Sequence, residues 1–141
     1  MPRSPVARTR LPKEIQTQLP RRGIYAVGGG FLSSAWRLVL DADAGTLCLG
    51  TSSRQGAPSY GAMEKERTHR LTPEKQAELM KRAREACEAP PPGFPPDFIA
   101  DYQELLVLLE GDDALVVDGY GPIRQEEGRR AIDALRAAAG F

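Results

Sequence analysis

Five consecutive apolar residues, Leu105-Leu106-Val107-Leu108-Leu109, constrain this chain more than any other feature. A β-strand sends alternate side chains to opposite faces, so an unbroken apolar run makes both faces apolar. Such a strand belongs in the middle of a sheet. It spans Tyr102 to Glu110, turns at Gly111-Asp112-Asp113 and returns as Ala114-Leu115-Val116-Val117-Asp118. A second hairpin is as clear. From Ala35 to Asp41, Trp36, Leu38 and Leu40 point one way and Arg37, Val39 and Asp41 the other; a turn over 41–45 then leads into Thr46–Gly50. Gly23–Val27 reads as a first strand ended by Gly28-Gly29-Gly30, residues 51–61 as a mobile loop, and the polar, alternating Met63–Leu71 as an exposed edge strand.

Two helices follow from different signals. Thr72 is placed to cap a helix with Pro73 at its first position and Glu74 at the positive end of the dipole. Ala77, Leu79, Met80, Ala83, Ala86 and Cys87 then form a stripe at helical spacing, and Pro90-Pro91-Pro92 ends it. Pro90 to Pro96 is expected to be a stiff, polyproline-like connector. The second helix runs from about Gln125 to Ala139 with Ala131, Ile132, Leu135 and Ala138 or Ala139 buried, and Gly128 allows close approach. The order is β-β-β-β-α-β-β-α. It predicts the α+β class: a single antiparallel sheet of about six strands with two helices packed on one face. The core is expected to hold Trp36, Leu38, Leu40, Leu47, Leu49, Leu105, Val107, Leu115 and Val117. Residues 1–20, rich in proline and bases and poor in apolar groups, read as a flexible basic arm; residues 21–141 form one α+β domain.

Several functions are disfavoured by composition. The 19 acidic and 19 basic residues cancel, whereas a general nucleic-acid binder needs a basic excess to neutralise phosphates. No apolar run is long enough to span a membrane, and no apolar stretch follows the N-terminal bases as in a signal peptide. A cytoplasmic location is expected, with the periplasm or envelope as the alternative if an export signal has been removed. Cys48 and Cys87 lack metal-type spacing; two reduced thiols are the favoured reading, and a single disulfide between them is the other. Asp41-Ala42-Asp43-Ala44-Gly45 imitates the start of a calcium loop but lacks its later ligands, so it reads as a polar hairpin turn. Gly28-Gly29-Gly30 lacks the rest of a phosphate-binding motif. The lone His69 has no neighbouring ligand or nucleophile signature. No metal, no cofactor and no catalytic residue is assigned, and the protein is not expected to be an enzyme. The rival reading is a small hydrolase or transferase built on Asp41, Asp43, His69 and the loop 51–62.

Charge distribution carries the functional signal. Between Asp97 and Asp118 lie seven carboxylates and no Lys or Arg, whereas the first 22 residues hold six bases and one acid. An acidic hairpin with aromatic neighbours suits a basic protein partner. The candidate contact residues are Tyr102, Glu104, Glu110, Asp112, Asp113, Asp118 and Tyr120, the last between two glycines that push its ring outward. Acids also keep sheet edges soluble, which is the bland account of the same pattern.

The segment from Trp36 to Gly45, the Leu-Thr-Pro-Glu start at Leu71–Glu74 and Asp118-Gly-Tyr-Gly-Pro-Ile123 resemble small bacterial α+β proteins of unassigned function. In size and architecture the chain is also similar to immunity proteins, which protect a cell from a toxin. That resemblance implies a protein-binding module that neutralises a bacterial toxin through its acidic hairpin. A structural or accessory protein of the cell envelope is the alternative.

Overall fold

The computed structural model describes residues 4–30, 33–54, 56, 58–90, 102–118 and 121–141. Among them lie seven strands and three α-helices. In chain order these are β1 (Val6–Ala7), α1 (Lys13–Gln16), β2 (Arg22–Gly30), β3 (Ser33–Asp41), β4 (Thr46–Ser52), β5 (Lys65–Arg70), α2 (Pro73–Glu88), β6 (Gln103–Glu110), β7 (Asp113–Asp118) and α3 (Glu126–Ala138). The strands form one antiparallel sheet in the order β1-β7-β6-β2-β3-β4-β5. The fold is therefore the α+β arrangement expected, with β6 inside the sheet as its apolar run requires and β5 at one edge.

Alternation along the strands sorts the core into two layers. Ile24, Leu38, Leu40, Leu47, Leu106 and Leu108 face α2 and α3, meeting Leu79, Met80, Ala83, Ile132 and Leu135. Their neighbours Tyr25, Val27, Val107 and Leu109 face the other way. Both expected helices take their places on the first face. Thr72 caps α2 as its sequence suggests, its hydroxyl accepting from the Lys75 N–H at 3.1 Å. Within the helix layer, small residues set the spacing: Ala83, Ala86, Ala131 and Ala139 are all fully buried where α2 and α3 approach.

The second face is covered by the N-terminal segment. Residues 1–20 read as a flexible arm, yet the described part, 4–20, follows a defined course over Tyr25, Val27, Val107 and Leu109. Ile15 is only 5% exposed there, with Leu11 and Leu19 packed beside it. Val6 and Ala7 pair with Ala114 and Asp113 of β7, and the Arg8 N–H donates to the Asp112 carbonyl at 2.9 Å. The basic arm thus meets the acidic hairpin of its own chain through backbone bonds. Polar side chains hold its bend. The Gln16 amide donates to the Arg8 and Leu11 carbonyls at 2.6 and 2.8 Å, and the Arg8 guanidinium donates to those of Pro20 and Arg21, both at 2.9 Å.

Arg37 ties the loop after β4 to the same face. It donates to the carbonyls of Ser59 and Gly61 at 3.1 and 3.0 Å and to the Gln18 side chain at 3.2 Å. The Tyr25 hydroxyl donates to that same Gln18 oxygen at 2.8 Å. Cys48 lies on this side of the sheet beside Val39 and Thr68, whereas Cys87 is buried on α2 on the other. The sheet separates the two sulfurs, so no disulfide joins them.

Burial of Ile15 makes the arm a stabilising layer. Ile15→Ala should cost about 2–4 kcal/mol, the usual penalty for emptying a buried aliphatic site, read as a lower urea midpoint at unchanged slope. Deleting residues 1–20 should lower Tm by well over about 5 °C, because it exposes four large apolar groups at once. An unchanged Tm after deletion would show that the arm contributes no cover.

Candidate functional site

The candidate contact residues divide between the two ends of the β6–β7 hairpin. Glu104 and Glu110 on β6, and Tyr102 just before it, fall in phase with Leu106 and Leu108 and so lie on the face that the helices cover. Glu104 and Glu110 are six residues apart, about 20 Å along the strand. Glu110 is exposed at the turn end and forms an ion pair with Arg84 of α2. Asp112 sits beside it in a two-residue turn, Gly111-Asp112, closed by the pair of Glu110 with Asp113, the first residue of β7. Gly111, at φ +68°, takes the left-handed position that such a turn demands. Asp112, Asp113 and Asp118 are exposed, and among the described residues no ion pair reaches them. Tyr120 lies outside the described residues, as do Asp97, Asp101 and residues 91–96 of the expected connector.

Glu104 is withdrawn from any surface, at 3% exposure. A buried carboxylate is costly unless its lone pairs are met, and here all are. Oε1 accepts from the Ile123 N–H at 2.8 Å and from Arg129 Nη1 at 2.6 Å; Oε2 accepts from the Tyr102 hydroxyl at 2.9 Å and from Arg129 Nη2 at 3.4 Å. Tyr102 in turn accepts from Trp36 Nε1 at 2.6 Å. One carboxylate thereby joins β6 to the start of α3 and, through Tyr102, to β3. Trp36 reaches its place because Gly28, its cross-strand partner, has no Cβ; an added one would stand 2.3 Å from the indole nitrogen. Arg136 also packs on Trp36, its guanidinium 5.6 Å from the Trp36 ring centre and 4.3 Å from that of Phe141.

Protonation follows these contacts. Burial pushes the Tyr102 hydroxyl up to about 12, with the Glu104 charge adding to the effect and the Trp36 bond opposing it. Burial likewise raises Tyr25 to about 12, against the opposing influence of Arg37. Burial alone would lower Arg129, but its bond and charge contact with Glu104, together with Asp133, outweigh it and hold the guanidinium above its ordinary value. The cluster is a satisfied structural junction; its tyrosine hydroxyl and carboxylate already have partners, which leaves neither available to a ligand.

Among the described residues, concavities are found beside this junction and between the helices. A cleft of about 420 Å³ runs between the α3 end and the β4–β5 edge, with Trp36 and Phe141 on one wall and Glu64, Lys65 and Arg67 on the other. Its Glu64 accepts from the hydroxyls of Ser53 at 3.0 Å and Ser52 at 3.2 Å, which hold its carboxyl below the usual range. A groove of about 280 Å³ between α2 and α3 is walled by alternating charges, among them Glu78, Arg82, Glu127 and Arg130. Neither is lined by Asp41, Asp43 or His69. Asp41 instead accepts from the N–H groups of Asp43 and Ala44 at 3.0 and 3.1 Å and shapes its own turn, while Asp43 pairs with Arg22 at 3.4 Å. His69 sits opposite Leu47 with a buried Nε2 that meets no partner among the described residues. No group of three or more His, Cys, Asp or Glu side chains among the described residues is arranged to hold a metal ion, and no described helix is long and apolar enough to cross a membrane.

Removing the junction carboxylate should be costly. Glu104→Ala is expected to lose about 3–5 kcal/mol, since it leaves Arg129 and two buried donors unpaired, and Arg129→Ala added to it should cost less than the sum of the two. Denaturation of the four proteins of that cycle checks this; additive losses would deny the pair. Alkali should act through the tyrosines. Their folded pKa values lie above the unfolded value near 10, so their stabilising contribution is complete below about pH 10 and is lost as pH rises towards about 12. Urea midpoints should fall across that window, and Tyr25→Phe should flatten the fall.

Among known proteins, no family model matches the chain, and no curated protein matches it in sequence.

Proposed function

We propose that this protein is a protein-binding module that presents the turn and outer strand of its β6–β7 hairpin to a basic protein surface, and that the partner is a bacterial toxin domain which it neutralises. The observation that carries the reading is the set Asp112, Asp113 and Asp118, exposed and without an ion pair among the described residues. Of the other exposed acids, Asp43, Glu66, Glu78 and Glu126 are matched by Arg or Lys of the same chain, whereas Glu74, Glu85 and Glu88 of α2 form no ion pair among the described residues but lie among that helix's own bases, Lys75, Lys81, Arg82 and Arg84. Charges left unmatched along an outer strand project a field that speeds encounter with an opposite charge.

Burial of Glu104 and the bonded hydroxyl of Tyr102 narrow the contact zone to the 110–113 turn and the β7 edge. Those two residues serve the site by fixing β6, the strand on which it is carried. Resemblance in size and architecture to immunity proteins supports the finer reading of the partner, and a toxin gene beside the native gene would support it further.

The test is a pulldown with the product of that neighbouring gene, followed by Asp112→Lys with Asp113→Lys. Both side chains are exposed, so the fold should be retained. Association should slow by about tenfold or more, and the salt dependence of the wild-type rate should largely vanish. Unchanged affinity and unchanged salt dependence would remove the acidic turn as the docking site.

A further inference from the structure

We propose that the outer edge of β7 is a strand-addition site, which takes an extended segment of the partner with β-branched residues in its middle and bases at its ends, laid antiparallel to Leu115–Asp118. This rests on the acidic hairpin being the docking surface and specifies how the partner engages it. β1 occupies the edge at Asp113 and Ala114. The strand stops at Val6: Ser4, the next residue whose backbone groups would turn toward β7, belongs to no strand.

Antiparallel ladders alternate between residues bonded to one neighbour and residues bonded to the other. Asp113 faces Glu110 across the two-residue turn, while Asp112 accepts from the Arg8 N–H. It follows that the even-numbered residues of β7 turn their N–H and C=O outward. Those of Ala114 face Val6; those of Val116 and Asp118 meet no strand among the described residues.

The two sheet edges differ in a telling way. β5 lines its edge with exposed Lys65, Glu66, Arg67 and Arg70, the usual guard against unwanted pairing. The open part of β7 offers half-exposed Leu115 and Val116 and carries a charge only at its end, on Asp118. Asp112 and Asp113 flank it at one end and Asp118 at the other, which sets the charge of the occupant. The chain's own arm shows the same chemistry: Val6 and Ala7 pair with β7, and Arg8 follows beside Asp112. About four residues, some 13 Å of strand, fit along the open part.

The probe is the blocked hexapeptide Arg-Thr-Val-Thr-Val-Arg, titrated into isotope-labelled full-length protein and followed by amide shifts. Saturable shifts at Val116 and Asp118 are expected. Val116→Pro removes an outward N–H and leaves the bonds to β6 in place, so it should fold and bind about tenfold more weakly. A peptide methylated on alternate backbone nitrogens makes the same test without altering the protein and should also bind about tenfold more weakly. No binding, or equal binding by the variant and by the methylated peptide, overturns strand addition. If charge reversal at Asp112 and Asp113 weakens the peptide while these two changes do not, the acidic surface stands and strand addition falls. Self-association of the protein that Val116→Pro abolishes would make a second copy the occupant and overturn the proposal.

Discussion

The structure depends on burying β6 from both sides. Its five-residue apolar run cannot be satisfied by one layer of helices, because alternation turns Leu105, Val107 and Leu109 away from them. A second layer is therefore obligatory, and the N-terminal segment is what provides it. This links two parts of the chain whose charges are opposite. The arm brings bases to the sheet but joins the hairpin through backbone bonds and apolar cover, which leaves the acids of β7 free of internal pairing among the described residues.

The second organising element is ionic. Glu104 is the place where β6, β3 and α3 are held in mutual register, with a carboxylate whose oxygens each accept two bonds. A buried ion pair of this kind adds little over a well-packed apolar alternative, but it is unforgiving of partial replacement and so favours one arrangement of the helix start. Trp36, seated over Gly28 with Arg136 packed on it, extends that junction to the C-terminal residue.

Hairpins and helix starts were legible because their signals are local: alternation from Trp36 to Leu40, and Thr72-Pro73-Glu74 ahead of an apolar stripe. The arm was harder to read because its apolar residues are sparse. Leu11, Ile15 and Leu19 nevertheless recur at a spacing of four, and that rhythm was the available sign of a covered face. Glu104 was ambiguous for a different reason. Its acidity suggests a surface, while its phase with Leu106 and Leu108 places it under a helix; the phase prevails because Arg129, one position after the buried Gly128, reaches it. Which acids stay exposed depends on pairings such as Glu110 with Arg84, 26 residues apart, and no local pattern announces those.

The sheet order also sets a timetable for synthesis. β2 lies between β3 and β6, so the half of the chain made first leaves the ribosome with a central strand still open on one side. That side closes only when residues 103–110 arrive, and the Val6–Ala114 pairing must wait longer still. Contacts so distant in sequence slow folding and prolong the exposure of apolar strands to aggregation. The arm, made before the strands that it covers, is thus among the last of these elements to be placed, and the nascent chain has reason to lean on chaperones until the β6–β7 hairpin is complete.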